Sequence, residues 1–125
     1  MDPALSLNIS HGNDFALARI GGELDMATAP DARAFLLTVL AGGNLRLVID
    51  LTDLTFVDAS GINVLVRASR RAQENGGWLR LAGARPQLRR ILHILHLTAL
   101  LPAYDTVGEA TGAQPATGVS RLLPR

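Results

Sequence analysis

The sequence contains no cysteine, which excludes disulfides, thiolate metal sites and cysteine nucleophiles in one step. Lysine is absent as well: all twelve basic residues are arginine. A Gly-x-x-x-x-Gly-Lys loop for nucleotide phosphates is therefore impossible. Aromatic residues make up only 4%, among them a single Trp78 and a single Tyr104. The core must then be built from Leu, Ile, Val and Ala, which suits helices packed on a sheet. No apolar stretch reaches the roughly 20 residues of a transmembrane helix, so membrane insertion is not expected. No basic region followed by an apolar run comes after Met1, so no secretory signal is expected either, and a cytoplasmic setting fits the lack of cysteine.

What is present is enough for one folded domain. The chain has 125 residues, 48% of them hydrophobic and 18% charged, with a net charge of +1; one core is the expectation. The charge is unevenly distributed. Residues 1–59 carry eight acids and three arginines, whereas residues 60–97 carry seven arginines and one acid, Glu74.

Periodicity outlines the elements. Leu5, Leu7 and Ile9 alternate with Ser6, Asn8 and Ser10, the pattern of a strand with one buried face. Gly12 and Asn13 suit a tight turn into a second strand from Phe15 to Ile20, closed by Gly21 and Gly22. Thr28 is placed to cap a helix over 29–40, with Pro30 and Asp31 in its first turn. Leu45 to Leu51 is nearly continuous in large aliphatics, as in a parallel strand covered on both faces. From Ser60 the period becomes helical, with Asn63, Arg67, Arg70, Arg71 and Glu74 on a wet face and Ile62, Leu65, Val66 and Ser69 opposite. A strand over Trp78 to Ala82 follows, then a helix opened by Pro86 with Leu88, Ile91, Leu92 and Leu95 as its apolar face. An edge strand is expected near Leu101 to Tyr104 and a short helix from Thr106. From Thr111 onward Gly, Thr, Pro and Ala dominate, so 111–125 is expected to be a disordered tail behind a domain over 1–110.

The segment Asp50 to Gly61 joins the buried strand to the basic helix. In open parallel sheets such strand ends are where ligands and partners meet the fold. Ser60 falls at the amino end of the helix, where unpaired N–H groups and the helix dipole favour negative charge. Two readings stay open on spacing alone: Ser60 as an ordinary N-cap, or Ser60 as the seat of a phosphate. Asp58 likewise could finish a turn. Catalysis is not expected, because no Gly-x-Ser-x-Gly elbow is present and nothing places a histidine beside Ser60. Glu23 and Asp25 read as solvated turn acids rather than a catalytic pair. His93 and His96 could share a helix face as zinc ligands, but no third ligand of suitable spacing accompanies them. Arg85, Arg89 and Arg90 with Arg67, Arg70 and Arg71 suggest a basic patch; no aromatics interleave them and no DNA-reading motif is present, so direct nucleic-acid binding is not expected.

Residues 50–65, Asp-Leu-Thr-Asp-Leu-Thr-Phe-Val-Asp-Ala-Ser-Gly-Ile-Asn-Val-Leu, resemble the signature of STAS domains, in particular of bacterial anti-sigma factor antagonists, which typically show Asp-Ser-Ser-Gly-Leu there. Gly22-Glu23-Leu24-Asp25 and the Ala27 to Pro30 helix start resemble the family's other recurrent stretch, and the order of strands and helices agrees from about residue 5 to residue 110. The resemblance implies an α/β fold, a STAS-like mixed β-sheet of four to five strands covered by about four helices. It also implies a switch. The second serine of the motif is phosphorylated by the anti-sigma factor, itself a serine kinase; Ser60 takes that position and Ala59 replaces the first serine. Thr52 and Thr55 are the secondary candidates. The unphosphorylated form binds the anti-sigma factor and frees a sigma factor, the phosphorylated form lets go, and a serine phosphatase resets the cycle. The implied partner surface comprises Glu23, Asp25, Asp58, Ala59, Ser60, Gly61, Asn63 and Arg67, with no cofactor and no catalytic or metal site. The alternative within the family is a STAS subunit of another assembly, a lipid-transport complex or a stress-sensing particle, in which Ser60 is only a structural cap. A small enzyme or nucleotide-binding domain is the third reading, disfavoured by the missing lysine loop.

Overall fold

The computed structural model describes residues 4–12 and 14–112. Among these described residues six strands form one mixed sheet: β1 (Leu5–His11), β2 (Ala16–Leu24), β3 (Arg46–Asp50), β4 (Leu54–Val57), β5 (Trp78–Ala82) and β6 (Ala103–Tyr104). Four helices accompany them: α1 (Ala29–Ala41), α2 (Ala59–Glu74), α3 (Pro86–Ile94) and α4 (Val107–Gly112). The sheet runs β1-β2-β3-β5-β6, with β1 antiparallel to β2 and the remaining pairs parallel. The α/β class and mixed sheet agree with the sequence reading; β4 is the strand it did not include.

The period of two along each strand sorts side chains between two layers. Leu47 and Ile49 of β3 and Leu79 and Leu81 of β5 point into the main core with Leu36, Leu65 and Leu88 of the helices α1, α2 and α3. Val48 and Ala82, one residue out of phase, face the opposite layer, where Ala110 of α4 packs over them. Arg80 is buried in that smaller layer, donates to the Ala110 carbonyl at 2.9 Å and lies 3.8 Å from the centre of the Trp78 ring. Desolvation lowers its pKa from the ordinary arginine value, with Tyr104 opposing the shift and Arg46 adding to it.

β2 does not stop at Gly21 and Gly22. It continues to Leu24 through an irregularity between Gly22 and Glu23, where Gly22 has φ +89°. A side chain there would meet the Ala4 carbonyl oxygen at 2.3 Å, so both the conformation and the approach require glycine. The shift in register hands β2 from β3 to β4: Ala16 to Arg19 pair with β3, and Gly22 to Leu24 pair with β4. That handover places the start of α2 beside the end of β2.

Three local expectations are corrected. Thr28 occupies the cap position of α1 but makes no capping bond; its hydroxyl accepts from Asp25 N at 2.9 Å and donates to the Glu23 carbonyl at 2.8 Å. Leu95 lies beyond the end of α3 and is 51% exposed, so it is not part of the apolar face. His96 also lies past the helix, at φ 58°, so His93 and His96 do not share a helical face. Thr111 and Gly112 complete α4, and Asn13 and the rest of the expected tail, 113–125, lie outside the described residues.

Candidate functional site

α2 begins where Asp58 leaves the extended conformation, φ −112° and ψ −171°, and its carboxylate accepts from the backbone N–H of Gly61 at 3.2 Å. The Asp58 carbonyl accepts from Ile62 N at 3.0 Å, the first intrahelical bond. Asp58, not Ser60, is therefore the N-cap. Ser60 is the second residue of the helix, half-buried, and its hydroxyl makes no hydrogen bond with a described residue. The reading of Ser60 as a structural cap is overturned on that geometry.

Gly61 holds the assembly against the sheet. A side chain at this position would lie 2.6 Å from Leu24 Cγ, 2.7 Å from the Leu24 carbonyl oxygen and 2.8 Å from Val57 Cγ2. The Asp58 N–H in turn donates to the Leu24 carbonyl at 3.2 Å. The absence of a Cβ thus lets the first turn of α2 rest directly on the end of β2.

The secondary hydroxyls differ from that of Ser60. Thr52 Oγ1 donates to Asp50 at 2.6 Å and Thr55 Oγ1 donates to the Gly22 carbonyl at 3.0 Å. Both are tied into turn and strand structure. Asp25 is also occupied: its Oδ1 accepts from Ala27 N and Thr28 N, each at 3.0 Å. This carboxylate builds the turn between β2 and α1, while Glu23 stays exposed on the last part of β2.

That turn brings a second segment to Ser60. A cleft of about 230 Å³ opens between the starts of α1 and α2, lined by Met26, Pro30 and Arg33 on one side and by Ser60, Asn63 and Arg67 on the other. Ser60, Asn63 and Arg67 fall on one helix face by their spacing of three and four. Met26 is 77% exposed, a large apolar side chain offered to solvent at the rim. Arg33 and Arg67 are exposed and are in no ion pair or hydrogen bond with a described residue. The cleft continues between the two helices as a groove of about 380 Å³ that adds Leu37, Arg70, Arg71 and Glu74. A larger cavity of about 400 Å³ lies elsewhere, between β4 and α3, and contains none of these residues.

Of the expected site residues, Ser60, Asn63 and Arg67 line the cleft, Asp58 and Gly61 position it, Ala59 is exposed beside it, and Glu23 and Asp25 flank its entrance strand and turn. Met26 and Arg33 were missed. The available signal was Met26 itself, an apolar residue set in the polar turn after Gly22-Glu23-Leu24-Asp25.

A mixed sheet covered by helices on both faces makes this a small α/β domain, with the Ser60 hydroxyl at a helix start beside exposed apolar and cationic side chains. A family model of the STAS domain matches residues 6–110, and the chain belongs to that family. It is 26% identical over 102 residues to an anti-sigma F factor antagonist of Paenibacillus polymyxa, covering 81% of this chain and 87% of that one. It is 29% identical over 93 residues to an anti-sigma-B factor antagonist of Listeria monocytogenes, covering 74% and 82%. The crystal structure of an anti-sigma factor antagonist from Mycobacterium paratuberculosis superimposes with a TM-score of 0.78 at 25% identity, over 86% of this chain and 91% of that one.

Proposed function

We propose that this chain is an anti-sigma factor antagonist controlled by phosphate on Ser60. In its unmodified form it binds an anti-sigma factor in the cytoplasm, through the first turns of α2 and the turn carrying Met26, and so frees a sigma factor. That anti-sigma factor is a serine kinase, and its transfer of phosphate to Ser60 ends the binding until a serine phosphatase restores the hydroxyl. The chain acts as a binding module, not as an enzyme.

The observation that carries this reading is the free Ser60 hydroxyl in the second position of α2, with the capping bond supplied by Asp58. A serine serving only as a cap would direct its oxygen to a helix N–H; this one has no hydrogen-bond partner among the described residues. The names of the relatives support the partner class. The test is incubation with the cognate kinase and ATP followed by phosphosite mapping. A single phosphate on Ser60 is expected, whereas labelling confined to Thr52 or Thr55, or none at all, would overturn the assignment.

A further inference from the structure

We propose that Arg33 and Arg67 form an anion seat that receives the Ser60 phosphate within the same chain. The inference rests on the reading of Ser60 as the modified residue and adds what holds the phosphate once it is there.

Both arginines line the cleft that contains Ser60, one from each helix. Arg67 is seven residues beyond Ser60 on α2, about 10.5 Å along the axis, and long side chains on a helix lean toward its amino end. That lean brings Arg67 within reach of the Ser60 end of the cleft, and Arg33 lines the same cleft from α1. Neither has an anionic partner among the described residues. Guanidinium groups match phosphate oxygens as a planar fork, and a phosphoserine brings three strong acceptors. Asn63, one helical turn beyond Ser60, supplies an amide donor, and Met26 and Pro30 line the same cleft from the side of α1. The acids near this position are Asp58 at the cap, Asp25 in the facing turn and Glu23 at the end of β2. Asp58 accepts from Gly61 N, and Asp25 accepts from Ala27 N and Thr28 N, so two of these carboxylates are already engaged by backbone donors.

The test installs phosphoserine at position 60 during translation, so that its outcome does not depend on a kinase selecting that residue. Phosphorus NMR then follows the second ionisation of the phosphate, which lies near pH 6 in the absence of partners. In the otherwise native protein the midpoint should fall about one pH unit below that of the R33Q/R67Q variant, as expected for an anion losing adjacent cations. The R70Q/R71Q variant, altered outside the Ser60 cleft, should keep most of the native displacement. The arginine Nε–H signals of Arg33 and Arg67 should also move when phosphoserine replaces serine. Coincident midpoints for the native and R33Q/R67Q proteins, or an equal effect of R70Q/R71Q, would overturn the seat. Failure of a kinase to label Ser60 would instead overturn the phosphorylation reading alone.

Discussion

The Asp58 carboxylate accepts a hydrogen bond from the Gly61 N–H across the first turn of α2, and this contact makes Asp58, not Ser60 two residues further on, the cap of the helix. Asp58→Ala should cost about 1 kcal/mol, the usual loss of an N-cap, whereas Ser60→Ala should change stability by no more than about 0.5 kcal/mol. Urea unfolding of the two variants distinguishes them. A larger loss for Ser60→Ala than for Asp58→Ala would contradict the assignment of the cap.

Gly61→Ala should destabilise the domain although alanine is the better helix former. The added methyl would press on Leu24 and Val57 at 2.6 to 2.8 Å, and overpacking of this kind typically costs about 1–3 kcal/mol. The first turn of α2 should shift with it, so partner binding is expected to weaken beyond what the lost stability explains. Thermal unfolding together with amide chemical shifts of residues 58–64 measures both effects; a variant as stable as the parent would show that α2 does not rest on β2.

The start of α2 near Ser60 was legible in the sequence because residues 50–65 carry an extended motif, and the elements that frame it follow the periods of strand and helix. The cap was not. Asp58 and Ser60 are both favourable N-cap residues two positions apart, and only the bond to Gly61 decides between them. β4 escaped because Leu54 to Val57 is four residues long with Thr55 and Phe56 exposed; its strand character comes from pairing with β2 after the break at Gly22, a tertiary effect. Arg33 is remote from Ser60 in the chain, and only the packing of α1 on α2 brings them to one cleft.

The arginines of α2 should speed encounter with an acidic partner rather than bind nucleic acid. Arg67, Arg70 and Arg71 stand exposed along one groove with Arg33, and opposite charge across an interface acts chiefly on the association rate. Raising salt should lower the on-rate for the cognate anti-sigma factor several-fold with a smaller change in the off-rate, as read by stopped-flow fluorescence. Salt-sensitive, tight binding to duplex DNA near physiological ionic strength would contradict this account.

In the proposed function, phosphate on Ser60 ends partner binding without unfolding the domain. A dianion at the amino end of α2 is favoured there by up to about 2 kcal/mol, so Ser60→Asp and the phosphorylated protein should remain folded. Desolvating that charge in an interface opposes binding, and a loss of about 2.7 kcal/mol already amounts to a hundredfold. Calorimetric titration of the cognate anti-sigma factor kinase with unmodified and Ser60-phosphorylated protein tests this most directly. The unmodified protein and Ser60→Ala should bind with comparable affinity, and the phosphorylated form at least about a hundredfold more weakly; equal affinity of the phosphorylated and unmodified proteins would contradict control by Ser60 phosphate.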